Sequence, residues 1–260
     1  MNMTEEKTDW IKVDLHIHTL DDPKDVIHFS AHQLLERAQS LGFRVLAITL
    51  HDAVFDSRDV FADAAAMGIL LISAAEMRLE GADVIILNVK RDEVADLKTF
   101  KDLRALRARR GSSIFTIAPH PYYVLGGSIG SRLVDEIDCF DAIEFCHFHK
   151  GPFNPNRRAA RVARKFNKPV IATSDAHRLS AFGGHYTAIP RPNDLTCEGV
   201  FQALRTGSLQ QVSPPCTWKD FLGAIYWIFL SHPREKRKRT TCAHGHISET
   251  PRLPVGYGGK

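Results

Sequence analysis

The feature that most restricts the fold of this chain is a series of six short apolar segments, each followed at once by side chains able to bind a metal ion. Ile11 to Leu15 runs into His16 and His18, Val45 to Thr49 into His51 and Asp52, and Ile69 to Ala74 into Glu76. Ile114 to Ala118 leads to His120, Phe140 to Phe145 to His147, and Pro169 to Thr173 to Asp175 and His177. Their shortness and β-branched content predict buried strands. Helical patterns separate most of them. Ser30 heads one through Leu34, Leu35, Ala38 and Leu41 that stops at Gly42, and Phe61 to Met67 ends at Gly68. A charged helix with Leu97, Leu103 and Leu106 on one face runs to Arg110, and Asn156 to Phe166 forms a basic one. Such alternation predicts a parallel α/β fold.

In a parallel barrel all C-terminal strand ends converge on one face. Histidine is only 13 of the 260 residues, so a His or an acid at the same end of six successive strands is improbable by chance. The expectation is one metal centre at that end. Val84 to Val89 reads as an extra strand beside the third, Tyr122 to Gly130 as a Gly-rich loop, Cys197 to Leu204 as a late helix and Trp218 to Leu230 as an apolar or amphipathic one. After Ser180 the pattern weakens.

Composition narrows the alternatives. With 44% hydrophobic and 25% charged residues the chain matches an ordinary globular protein. Its net charge of +4 comes largely from Arg234, Lys236, Arg237, Lys238 and Arg239, leaving the body near neutral, so no stable nucleic-acid complex is expected. Five cysteines without C-x-x-C spacing argue against a zinc ribbon and a disulfide framework, and fit a reducing cytoplasm. Met1 to Trp10 lacks the apolar core of a signal peptide. Phe221 to Leu230 is about half the ~20 residues of a membrane span. Residues 1–231 are expected to form one barrel domain with its terminal helices, and residues 232–260 a basic, disordered tail. An anionic membrane surface is the alternative partner for that end of the chain.

His and carboxylate donors without thiolates suit zinc, manganese or iron. Glu76 can bridge two ions through its two oxygens. Two ions so held clamp the attacking and departing oxygens of a phosphoryl displacement and acidify a water between them, which points to hydrolysis.

The segments Asp14-Leu15-His16-Ile17-His18-Thr19, Ile48-Thr49-Leu50-His51-Asp52, Ala118-Pro119-His120-Pro121 and Ser174-Asp175-Ala176-His177 follow one another in an order that resembles the polymerase and histidinol phosphatase (PHP) family. The resemblance spans about residues 11 to 180. It implies a distorted, TIM-barrel-like (β/α)7 barrel with two or three divalent ions at the C-terminal strand ends, hydrolysing phosphate esters. Carried over by motif, His16, His18, Glu76 and Asp175 would hold one ion, and Glu76, His120 and His147 a second. His51 and His177 would hold a third, completed by Asp25, with Asp22 and His28 as alternatives. Glu76 and Asp175 are the candidate catalytic carboxylates.

One departure stands out: the family's T-D-H is here Thr49-Leu50-His51, and Asp52 is the candidate to replace the missing carboxylate. Arg178, directly after the last motif, and Arg157, among the arginines opening the helix after the fifth strand, are candidates to hold a phosphate. Tyr122, Tyr123, Gly126 and Gly127 form either a loop that packs a nucleobase or sugar, or an ordinary connection. The resemblance implies a small phosphorylated substrate, a nucleotide or the end of an oligonucleotide; the alternative is a noncatalytic metal-binding or regulatory module.

Overall fold

The computed structural model describes residues 9–123, 126–206 and 208–226. The expected tail of residues 232–260 lies outside them, as does the end of the expected helix beyond Tyr226. Nine strands form one sheet in the order β7-β6-β5-β4-β3-β2-β1-β8-β9. They are β1 (Trp10–Ile17), β2 (Phe43–His51), β3 (Leu70–Leu79), β4 (Ala82–Leu87), β5 (Phe115–Ala118), β6 (Ala142–Phe145), β7 (Val170–Ala172), β8 (Tyr186–Pro190) and β9 (Gln210–Val212).

The sheet curls into a nearly closed barrel. Thr187 on β8 reaches β7, where its Oγ1 accepts the Ala172 N–H and donates to the Ala172 carbonyl, both at 2.8 Å. An isolated parallel bridge joins Ile17 to Ala176, and the His18 N–H donates to the Ala176 carbonyl at 3.2 Å. The first and last histidine motifs are thereby sutured together.

The expected distorted, TIM-barrel-like α/β barrel is present, with nine strands in its sheet instead of seven. β1, β2 and β3 pair in parallel, as do β5, β6 and β7. β4 intervenes antiparallel to both β3 and β5, and β8 and β9 are antiparallel additions at the other edge. β8 and β9 follow Ser180, where the apolar pattern fades: two of the three β9 residues are exposed glutamines. β9, at the edge of the sheet, satisfies its backbone without the two-sided burial that marks a strand in sequence, whereas β8 lies between β1 and β9 with Thr187, Ala188 and Ile189 buried.

Helices cover the outside: α1 (Ala31–Ser40), α2 (Arg58–Ala66), α3 (Arg91–Val94), α4 (Phe100–Arg110), α5 (Asn156–Lys165) and α6 (Cys197–Thr206). α1 begins where Ser30 and Gln33 form a reciprocal capping box, a contribution of about 1 kcal/mol. Thr99 and Asp102 do the same for α4. A separate unit beginning at Trp218 contains α7 (Trp218–Tyr226), whose Trp218, Leu222 and Tyr226 are exposed. No described helix is long and apolar enough to cross a membrane.

Alternation along the strands decides what faces the barrel axis. Val45 and Ala47 of β2 and Ile72 and Ala74 of β3 share the interior cluster with Ile85, Phe115 and Ile117. His51 and Glu76 continue these same inward faces at the strand ends. On β1, Leu15 joins the interior cluster whereas Ile17 packs outward with Leu34 and Leu46, so the alternation breaks there. The register against β2 shifts between Asp14 and Ile17, and the irregularity sets the His16 and His18 pair at the rim.

Candidate metal centre

Glu76 occupies the middle of the centre and is almost fully buried. Its Oε2 lies 3.5 Å from His16 Nε2, 3.4 Å from His18 Nε2 and 3.3 Å from His51 Nε2, and its Oε1 lies 3.3 Å from His120 Nε2. Asp175 Oδ1 faces the same space, 3.4 Å from His16 Nε2, 3.5 Å from His18 Nε2 and 3.4 Å from His177 Nδ1. The donor atoms converge in three overlapping groups: His16 with Glu76 and His120, His16 with His18 and Asp175, and His18 with His51 and His177.

Buried carboxylates behind the rings orient them. Glu144 Oε1 lies 2.8 Å from His16 Nδ1 and also accepts the Thr173 hydroxyl, while its Oε2 accepts the His120 N–H at 2.5 Å. Asp22 Oδ2 lies 3.1 Å from His18 Nδ1 and 2.8 Å from His51 Nδ1, and accepts the His51 N–H at 3.0 Å. With Nδ1–H directed at a carboxylate, each Nε2 presents its lone pair to the centre. His16 Nε2 and His18 Nε2 are 3.2 Å apart. Two lone pairs at that separation repel unless a cation or a proton lies between them, so the donor set fits divalent metal.

The electrostatics agree. Burial opposes charge on His16, yet Asp175, Glu144 and Glu76 outweigh it and hold its pKa well above the ordinary value. Burial likewise opposes ionisation of Glu76 and Asp175, but the surrounding imidazoles keep both well below the usual carboxylate range. His120 and His177 are each raised to about 9, carboxylate contacts overcoming desolvation. This is a site built for positive charge. His120 (φ 29°) and Asp175 (φ 46°) adopt left-handed backbone as they leave their strands, a local cost of order 1 kcal/mol that the packed rim must sustain.

Other candidates fall differently. Asp25 is buried with Oδ2 3.2 Å from His177 Nε2, which places it beside the third group, whereas Asp22 stands behind His18 and His51 and His28 is exposed. Asp52 does not support His51: one oxygen accepts the Arg78 N–H at 2.7 Å and the other pairs with Lys24. His147 is not in the close groups around Glu76. Its ring instead lies 5.6 Å from that of His185, whose Nδ1 is 2.9 Å from Ser213 Oγ. Burial lowers the pKa of His147, and it also lowers His185, to about 4.

Arg157 and Arg178 are both exposed, at the start of α5 and beside His177 respectively. The loop after His120 is pinned to β4, where the Asp83 N–H donates to the Gly127 carbonyl at 2.7 Å. Gly127 has φ 99°, and a Cβ there would collide with the Asp83 carboxylate, so glycine is required for the docking. Sequence reasoning missed Glu144 and the supporting role of Asp22. The available signal for Glu144 was a lone carboxylate in the apolar strand Ala142-Ile143-Glu144-Phe145, where an unpaired charge would be prohibitive.

Comparison with known proteins adds to this geometry. A model of the family described as PHP-associated matches residues 153–209. No curated protein matches the chain. Among solved structures, a two-domain protein from Bacteroides vulgatus containing a predicted PHP-like metal-dependent phosphoesterase is 18% identical, with TM-score 0.60 over 78% of this chain and 65% of that one. PsfC from Pseudomonas syringae is 16% identical, with TM-score 0.60 over 90% of this chain and 99% of that one. The lesion-specific endonuclease Q of Pyrococcus furiosus is 13% identical, with TM-score 0.56 over 78% of this chain and 58% of that one. The chain thus spans less than two thirds of the first and third of these, and at such identities the likeness is one of fold. The strand-end motifs in order, the barrel around them and the PHP-associated match over residues 153–209, which includes the last motif, make the chain similar to PHP-like proteins in motif and in fold.

Proposed function

We propose that this chain is a metal-dependent phosphoesterase that hydrolyses a phosphomonoester, a nucleotide or the end of an oligonucleotide. The observation that carries the reading is Glu76, whose two oxygens address different imidazoles, His120 on one side and His16, His18 and His51 on the other. Two or three divalent ions, zinc, manganese or iron, would neutralise phosphoryl oxygens there and acidify water. Glu76, Asp175, His16, His18 and His120 would hold two of them, and His51, His177 and Asp25 a third. His147, further from Glu76, would complete its set only with movement of the ring. Glu144 and Asp22 keep the imidazoles aimed, and the buried rim limits access of bulk water. Arg178 and Arg157, exposed at that end of the barrel, would meet the substrate's phosphate.

The noncatalytic alternative rests on Leu50. Leu50 packs outward in the core against α1 and α2, and His51 takes its orientation from Asp22 instead, which favours a working centre. The test is metal analysis of protein purified without added metal, with hydrolysis of 4-nitrophenyl phosphate and bis(4-nitrophenyl) phosphate followed before and after chelation. Turnover lost on chelation and restored by manganese, zinc or iron is expected. Metal bound at full occupancy without turnover of these or of short oligonucleotides would favour the noncatalytic reading.

A further inference from the structure

The helix α5 carries Arg157, Arg158, Arg161, Arg164 and Lys165 and no acidic residue. At 100° per residue these five cations fall within an arc of about 120°, opposite the buried Asn156, Ala159 and Ala163. All five are exposed, and among the described residues none forms an ion pair with a carboxylate. The contrast within the molecule is sharp. Arg104, Arg107, Arg110, Arg132 and Arg205 each meet a carboxylate at 2.5 to 3.2 Å. Same-sign charges gathered on one short face repel each other, a cost that an anionic partner removes.

The face starts at the same end of the barrel as the metal centre. α5 follows the loop that leaves β6 past His147, so its first turn lies at the catalytic end of the barrel and its last turn about 10 Å further away. Ahead of its first turn an aromatic series leads inward. Phe153, 36% exposed, lies 6.1 Å from Phe148, which lies 5.6 Å edge-on from Tyr123, whose ring is 6.4 Å from that of His120. The Arg158 guanidinium stacks over Tyr122 at 4.3 Å. Cations that match a phosphate backbone, with aromatic rings beside them, form the surface that single-stranded nucleic acid uses, because unpaired bases offer faces that a duplex hides.

We infer that the α5 face and Phe153 bind the backbone and a base of a single-stranded nucleic acid whose end reaches the metal centre. From Arg157 to Lys165 the face is about 12 Å long, on the order of three or four phosphates. The near-neutral body that argued against such a complex hides this asymmetry, which exists only once the helix has formed. The inference extends the phosphoesterase reading, and its readout is separate from turnover.

The experiment compares the full-length chain with Arg164→Ala/Lys165→Ala, two residues at the end of α5 away from the centre. The probe is a fluorescein-labelled twelve-residue oligothymidylate, and anisotropy is followed with increasing sodium chloride. The basic stretch Arg234 to Arg239 is common to both proteins and cancels in the difference. At about 0.1 M salt, affinity should fall on the order of twentyfold and the log–log salt slope by about 1.4, from two phosphate contacts. Phe153→Ala should weaken binding with the slope unchanged. Hydrolysis of 4-nitrophenyl phosphate should be unaffected by the double substitution. Equal oligonucleotide affinity and slope in the double variant would overturn the inference. So would a selective loss of binding to phosphatidylglycerol vesicles, or a preference for duplex insensitive to Phe153→Ala. Absence of any phosphatase turnover with the expected oligonucleotide effects would defeat the phosphoesterase reading while leaving this surface in place.

Discussion

Asp22 and His51 are joined twice: the Asp22 Oδ2 that lies 2.8 Å from His51 Nδ1 also accepts the His51 N–H at 3.0 Å. Burial would raise the pKa of Asp22, but its bonds with His18 and His51 keep it well below the ordinary carboxylate range. The carboxylate is therefore an anion that fixes both rings with Nε2 facing inward. Asp22→Asn keeps the size and loses the charge, so metal affinity should fall by about 10- to 100-fold, as for other residues that orient metal ligands. Titration of the chelated protein with zinc or manganese reads this directly. Unchanged affinity and stoichiometry would remove Asp22 from the centre.

Glu76→Gln removes the negative charge on which four imidazoles converge. At least one ion should be lost, and turnover of 4-nitrophenyl phosphate should fall by two or more orders of magnitude, since water near the remaining ion is less acidified (~100-fold). The fold should persist, because Ile72 and Ala74 keep their packing. Metal content, far-ultraviolet circular dichroism and rate measured on one preparation provide the check. Full occupancy and a near-normal rate in a folded variant would contradict the bridging role.

Glu144 serves two ligand candidates, His16 through its ring and His120 through its backbone N–H. Glu144→Gln should reduce both metal affinity and thermal stability, the latter by roughly 1–3 kcal/mol, because a buried charge-assisted network is left partly unsatisfied. Glu144→Leu should be worse, leaving the Thr173 hydroxyl without its acceptor. Thermal unfolding of the chelated proteins separates the structural part of the effect from the metal part.

Asp141 lies away from the centre and ties α4 and α6 to the barrel. Its carboxylate lies 2.7 Å from Arg107 Nη1, accepts the Thr116 N–H at 2.9 Å and lies 3.2 Å from Arg205 Nε. Desolvation would raise its pKa, but the Arg107 bond and the other contacts lower it. A depressed folded-state pKa means stability that is present above the unfolded value near ~3.9 and is lost as pH falls through the folded one. Asp141→Asn should cost roughly 2 kcal/mol at neutral pH. Urea unfolding should show this difference steady from about pH 7 to 5 and shrinking below about pH 4. A difference that grew on acidification would refute the assignment.

What the amino-acid order determined by itself is the alternation of strand and helix and the placement of His16, His18, His51, Glu76, His120, Asp175 and His177 directly after short apolar segments. Those are local properties, period and punctuation, and a parallel arrangement of strands converts them into convergence at one end. The tertiary structure decided what depends on contacts distant in the chain. Glu144 reaches His16 across 128 positions, Asp22 reaches His51 across 29, and Asp52, adjacent to His51, turns away to Lys24 and Arg78. No periodicity encodes which of several neighbouring carboxylates will face a ring, because that choice follows from backbone geometry at the strand end and from which partner satisfies a buried charge. The antiparallel β9 was equally hidden, since its edge pairing satisfies the backbone without an apolar signature in sequence. Net charge spoke for the body as a whole, and only the formed helix α5 shows that five of its cations share one face.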